Sequence, residues 1–303
     1  MTQIKKTELT FDSDGYSIAA NMYSPEGKTG EKFPAIVLLH PFSAVKEQSM
    51  DLYAKAFAEK GFVALAYDRR NMGKSSGKIR EYEDARGGAV LDCKNAVTYL
   101  STLDNVDSDK ISVFGLCAGG GYAIASFCLD KRIKACATAS AVDLGDFIRS
   151  IPKEQLDQIL VQAGENRNEI AKGGEPKYLP VLPERKEEIT KDTPELMSVG
   201  YDYYMTPRGQ HPNRNNRCAI ISYDDMIGYD SWSHMEFKDE RPLLLIAGEN
   251  ASTLVHSQTA YEKASEPKEI VVVENKSHFD FYDYQVNFAV DKATEFYKKY
   301  LNL

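Results

Sequence analysis

Cys117 stands at the centre of Gly115-Leu116-Cys117-Ala118-Gly119, which follows an apolar run and opens a stretch with helical spacing. A nucleophile on a sharp strand-to-helix turn needs small neighbours, because the turn brings backbone from both sides close to the central residue. Such a turn exposes the thiol at the sheet edge and aims the Ala118 amide where an oxyanion would form. A helix start carries partial positive charge, so the thiol pKa is expected below its ordinary value. The alternative, a small core cysteine beside a glycine-rich bend, gives the glycine spacing less purpose. A thiol of this kind needs a base. Among the five histidines, His278 in "VVVENKSHFDFYD" lies just past the last apolar run, in a loop before the C-terminal helix. His256 falls in a helical stretch and reads as a surface residue. His211 and His234 fall in a long polar segment, although His234 beside Trp232 is a candidate lining residue. In "LLHPFSAVKEQ", His40 precedes Pro41 and is read as shaping the loop, while the Phe42 amide is the expected second oxyanion donor.

These residues must be held by a scaffold, and the rest of the chain supplies its pattern. "IKKTELTF" and "YSIAANMYS" flank an Asp-Gly turn and read as a hairpin. Six apolar runs, at 34–40, 62–68, 110–115, 133–140, 242–248 and 269–275, have the composition of strands buried on both faces. Helical patterns lie between and after them, at 50–60, 88–103, 118–129, 256–266 and 284–301. Strand alternating with helix predicts an α/β fold, with a mostly parallel central sheet and helices on both faces. Between the fourth and fifth of these runs lie about a hundred polar and aromatic residues, far more than a crossover needs. They are read as a helical cap or lid insertion, 143–240, over a core formed by 1–142 and 241–303.

At this point the motifs converge. "HPFSAVKEQ", "AYDRRNMGKSSG", "GLCAGGGYA" and "ENKSHFDFYD" resemble, in content and order, the α/β-hydrolase superfamily, and within it the dienelactone-hydrolase-like branch with a cysteine nucleophile. "DRRNMGKSSG" resembles that superfamily's Asp-x-Arg-Gly-x-Gly-x-Ser loop with Asn71 in place of the first glycine. A phosphate-loop reading of its "GKS" fails because Asp68 stands where glycine is required. The resemblance implies an acid in Gly-x-x-Asp after the penultimate strand, but the chain reads Gly248-Glu249-Asn250-Ala251. Glu249 in that turn and Asp143 after the sixth strand are the candidate acids, and a Cys–His dyad is a third arrangement. Glu47, near the oxyanion loop, is another carboxylate of this region or a solvated loop charge.

The chemistry expected is acyl transfer through a thioester. Cys117 attacks an ester, lactone or thioester of a small molecule, His278 moves the proton, and the Phe42 and Ala118 amides hold the oxyanion. Tyr204, Trp232 and His234 are candidate substrate-binding residues; Arg208, Arg214 and Arg217 are candidate carboxylate contacts or solvated charges. No metal and no cofactor is needed. An acyltransferase with the same machinery, suggested by the Gly-x-Cys-x-Gly-Gly box of polyhydroxyalkanoate synthases, and a non-catalytic binding protein are the rival readings. Net charge of −8 speaks against nucleic acid and anionic membranes as partners. The N-terminal residues lack a signal-peptide pattern and no apolar run has membrane-spanning length, so a cytoplasmic protein is expected, with monomer and homodimer both compatible. The five cysteines are expected to be reduced.

Overall fold

The structure is a computed structural model that describes residues 3–28 and 30–303. The hairpin strands β1 (Ile4–Ser13) and β2 (Tyr16–Pro25) pair antiparallel around a turn at Asp14 and Gly15, both at positive φ. The chain then alternates: β3 (Phe33–Leu39), α1 (Ser49–Glu59), β4 (Val63–Tyr67), α2 (Gly88–Ser101), β5 (Val106–Leu116), α3 (Ala118–Leu129) and β6 (Ile133–Ala139). After an insertion it resumes with β9 (Leu243–Gly248), α8 (Leu254–Lys263), β10 (Lys268–Val273) and α9 (Val286–Leu301). One eight-stranded sheet results, in the order β1-β2-β4-β3-β5-β6-β9-β10. β1 and β2 are the antiparallel members, and the pairings from β4 to β10 are parallel.

The apolar runs form central strands because both faces of the sheet are covered. On one face Val37, Val113, Cys136 and Leu245 pack against α2 and α3; on the other Ile36, Phe114, Ala137 and Leu244 pack against α1 and α9. This alternation along each strand follows from the two-residue repeat of a pleated sheet. Cys93, Cys128 and Cys136 are buried core residues with free thiols, as their periodic positions predict.

The insertion folds into α4 (Leu144–Arg149), α5 (Lys153–Ala171), β7 (Tyr178–Pro180), α6 (Glu195–Tyr204), β8 (Arg217–Ala219) and α7 (Tyr223–Ile227), with β7 and β8 pairing antiparallel in a separate two-stranded sheet. It is tied to the core near the oxyanion loop. Gln48 Nε2 donates to the Gly209 carbonyl at 2.6 Å, and the Ser49 and Tyr203 hydroxyls meet at 2.8 Å. No described helix is long and apolar enough to cross a membrane.

Candidate active site

β5 ends at Leu116 and α3 begins at Ala118, leaving Cys117 alone at the bend with φ 57° and ψ −128°. A side chain is strained in that region, and the surroundings fix it there. The Cys117 amide donates to Ala139 at 3.2 Å, and its carbonyl accepts from Gly120 at 2.8 Å and Val142 at 2.9 Å. The flanking glycines are required by contact. A Cβ on Gly115 would overlap the Gly119 carbonyl, and one on Gly119 would overlap the Leu39 carbonyl at the end of β3. The sharp turn expected from the spacing is therefore present, with Cys117 half-buried at it.

The Ala118 and Phe42 amides both lie by Cys117 and lower its pKa, and neither is bonded to another described acceptor. Phe42 is held by a loop that His40 and Arg69 brace. The His40 ring meets the Pro41 carbonyl through Nδ1 at 2.8 Å and accepts the Arg69 amide through Nε2 at 3.2 Å, while Arg69 donates to the His40 carbonyl at 2.6 Å. Burial and the Arg69 charge push the His40 pKa well below its ordinary value, so His40 is a neutral brace. The "DRRNMGKSSG" loop is likewise internal structure. Asp68 accepts from the Lys46 amide and Nζ at 2.8 Å each, and Asn71 adopts the positive φ, 68°, of the glycine it replaces. Glu47 pairs with Lys46 at 2.9 Å and accepts from Asn213 at 3.0 Å.

His278 lies in a short 3-10 turn, His278–Tyr282, capped by Ser277, whose amide and hydroxyl both donate to Asp280. Its partners differ from those expected. Nδ1 meets the Thr253 hydroxyl at 2.6 Å, and Nε2 meets the Tyr282 hydroxyl at 3.2 Å. The Tyr282 phenol also lies beside Cys117, between the sulfur and the imidazole, and lowers the thiol pKa; no direct hydrogen bond links Cys117 to His278 among the described residues. Neither candidate acid reaches the ring. Asp143 caps α4, accepting from Asp146 at 2.9 Å and from the Ser231 amide at 3.0 Å, and burial lifts its pKa to about 6. Glu249 is exposed and accepts from the Asn275 amide at 3.1 Å. The expectation of a carboxylate on His278 is thus corrected: the neutral hydroxyl of Thr253 occupies Nδ1.

Two further expectations are corrected. The Cys117 thiol is pushed above its ordinary pKa, because burial outweighs the lowering by the Tyr282 hydroxyl, the two amides and Arg69. His278 is lowered to about 3, by burial first and then by the field of His256, which is itself buried rather than on the surface. At neutral pH the site therefore holds a neutral thiol and a neutral imidazole.

Of the lining candidates, Tyr204 is at the site. Its buried ring stands perpendicular to Tyr282 at 5.9 Å, and its hydroxyl, facing Tyr282 and Cys117, makes no hydrogen bond of standard geometry among the described residues. Trp232 is packed into the core with Tyr122, Tyr229 and Met235. His234 is exposed on a surface cleft of about 380 Å³ with Arg86, Lys94 and Leu129, a cleft whose lining does not include Cys117. The pairing of these two as pocket residues is therefore corrected, since the turn sends one inward and the other to solvent. Arg208 is paired with Asp202 and Asp283, and Arg217 with Glu81. Arg214 lies over the Tyr204 ring at 4.3 Å without a carboxylate partner among the described residues. Tyr282 and Thr253 were not singled out by sequence reasoning. Tyr282 sits inside an aromatic run that reads as core, and Thr253 carries no charge to mark it.

Comparison with known proteins places this geometry in context. The dienelactone hydrolase family model matches residues 18–173. The chain is 35% identical to the uncharacterised protein PA2218 of Pseudomonas aeruginosa, over 99% of this chain and 82% of that one. The crystal structure of PA2218 superposes with a TM-score of 0.90 at 34% identity, covering 98% of this chain and 94% of the other. A thiohydrolase of Eupenicillium brefeldianum is 28% identical over 82% of this chain and 80% of its own. The polyketide transferase claH of Penicillium crustosum is 25% identical over 96% of each. The structural matches make the fold that of an α/β hydrolase, as its motifs suggest.

Proposed function

From the premise that the chain belongs to the dienelactone hydrolase family, we propose that it cleaves an ester-type bond of a small molecule through a thioester on Cys117. The observation that carries this reading is the strained Cys117 backbone, with two otherwise unbonded amides, Phe42 and Ala118, lying by it. Such donors stabilise charge as it develops on a substrate oxygen, and removing one costs about 3 kcal/mol in comparable sites.

The proton follows the hydrogen bonds. Before attack Nδ1–H donates to Thr253, the Tyr282 O–H donates to Nε2, and the thiol donates to the Tyr282 oxygen, a tautomer assigned from the base role of Nε2. As the S–C bond forms, the carbonyl π pair moves onto oxygen. The thiol proton passes to Tyr282 while the Tyr282 proton passes to Nε2, so the phenol ends unchanged. Collapse restores the carbonyl and expels the alcohol or thiol, which takes the proton back along the same route. Water then attacks the thioester carbon as Nε2 takes its proton. Collapse of the second intermediate breaks the S–C bond and releases the acid, and the proton returns from Nε2 to the sulfur by way of Tyr282. Because thiolates leave readily, activated esters, lactones and thioesters suit this site better than amides.

A second reading, transfer of the acyl group to an alcohol or amine, is favoured by one feature. Burial of His278 among Phe279 and Tyr282 restricts water at the second step, and the relatives named polyketide transferase fit that outcome. The test is a panel of nitrophenyl esters and N-acetylcysteamine thioesters, with and without an alcohol acceptor, for wild type and Cys117→Ala. Loss of turnover in the variant supports the reading, and the ratio of free acid to new ester separates hydrolase from transferase. Turnover that survives the substitution overturns it.

A further inference from the structure

The two edges of the central sheet are built differently. β1 ends one side and carries the exposed charges Lys5, Lys6 and Glu8 along its length, which keep an edge from accepting another strand. β10 ends the other side, and its residues Ile270, Val271, Val272 and Val273 hold no charge. Val272 is 43% exposed, a large apolar side chain left uncovered in the middle of an edge.

The register shows which backbone groups of β10 are free. β10 pairs parallel with β9, Lys268 beside Leu243 and Ile270 beside Leu245. At the ends of this ladder the Leu243 amide donates to the Pro267 carbonyl at 3.2 Å, and the Glu249 amide to the Val273 carbonyl at 3.0 Å. Odd-numbered residues therefore turn their peptide groups to β9, and Lys268, Ile270 and Val272 turn theirs outward. The Lys268 amide is capped by the Glu266 carboxylate at 3.1 Å. The outward groups of Ile270 and Val272 have no partner among the described residues.

The segment is also complementary to itself. Turned about a two-fold axis at Val271, a second β10 lies antiparallel to the first, with Ile270 opposite the partner's Val272 and their outward N–H and C=O groups paired. In that register Lys268 faces the partner's Glu274, so opposite charges meet at both ends of an apolar centre. The neighbouring registers that keep outward groups facing set Lys268 against Lys276, or Glu266 against Glu274, like charges in both cases. Tyr261 of α8, under the Lys268 ammonium at 4.5 Å, and Tyr300 of α9, donating to Glu269 at 3.3 Å, flank the strand on its two faces and widen the contact.

We propose that β10 is a homodimer interface, through which two copies of this chain join their sheets by antiparallel pairing. The pairing does not depend on the chemistry assigned to Cys117. The loop that leaves β10 carries His278, so the interface borders one side of the candidate site.

The experiment is sedimentation velocity of the full chain across the micromolar range, where wild type is expected to be a dimer. Val272→Lys sets a charge into the apolar centre and should raise the dissociation constant roughly 10- to 100-fold with an unchanged circular dichroism spectrum. Lys268→Glu and Glu274→Lys should each weaken the dimer, and the double variant should restore it. The axis brings Val271 against its own copy at a Cα separation of about 4.5 Å, so Val271→Cys should yield a disulfide-linked dimer on mild oxidation. Glu269→Cys, opposite Val273, should not. A wild-type monomer at these concentrations overturns the proposal. A dimer that survives Val272→Lys and gives no link through Val271→Cys uses another face and overturns it as well.

Discussion

Replacing Tyr282 by phenylalanine removes the oxygen that meets His278 Nε2 at 3.2 Å and lowers the Cys117 pKa. The ring keeps its packing on Phe279 at 4.6 Å and Tyr203 at 4.9 Å, so the fold is expected to hold. What is lost is the path by which the thiol proton reaches the imidazole. Both bonds strengthen as charge develops on sulfur and ring, and a hydrogen bond to a charged group is worth about 1.5–3 kcal/mol. With partial charge at the transition state, the two together amount to about 2–4 kcal/mol, or roughly 30- to 1000-fold in kcat/KM. Once the thiol ionises, the Tyr282 O–H can turn to donate to the sulfur and favour the thiolate, so the variant's thiol should titrate higher still. The assay is nitrophenyl butyrate turnover together with the pH profile of Cys117 alkylation by iodoacetamide. The expected result is a slower reaction and an alkylation profile displaced to higher pH. Unchanged turnover and an unchanged profile would refute the relay, and faster turnover would show that Tyr282 obstructs the imidazole.

Other consequences follow from the same geometry. Thr253→Asp places a carboxylate against Nδ1, which should raise the His278 pKa by about 1–3 units and speed acylation at mildly acidic pH; an imidazole titration that does not move in NMR would contradict this. The wild-type pKa of His278, about 3, lies below its ordinary value of about 6.5. As pH falls the unfolded chain binds this proton first, so stability present above pH of about 6.5 is lost down to about 3, at up to about 1.4 kcal/mol per unit. His40 and His256 are lowered in the same direction and add to the loss. Urea titrations should therefore show a shallower acid dependence for His278→Gln than for wild type, and equal slopes would remove His278 from the account.

The sheet was legible because strands buried on both faces must be continuously apolar, and Val37, Val113 and Leu245 show that directly. The bend at Cys117 was legible because backbone crowding at Gly115 and Gly119 admits no side chain, and that constraint is written in residue type. The partner of His278 was not. A hydroxyl serves where an acid was sought, and Thr253 lies two residues beyond the expected position at Ala251. The thiol pKa went the other way for a reason of magnitude: burial against packed side chains outweighs a helix-start dipole. Tyr282 was obscured by the aromatic run around it, and Arg214, named among the candidate carboxylate contacts, stood in a polar loop where a solvated charge reads as well. Their roles depend on contacts between α6, the 3-10 turn at His278 and the loop after β3, which no local pattern reports.

The central claim is a covalent acyl group on one sulfur. Intact-mass analysis after brief mixing with a slowly turned-over acyl thioester, followed by peptide mapping, tests it most directly. An added acyl mass located on Cys117, absent from Cys117→Ala and prolonged in His278→Ala, is the predicted result. Turnover without any acyl adduct at Cys117, or an adduct on another residue, would contradict it.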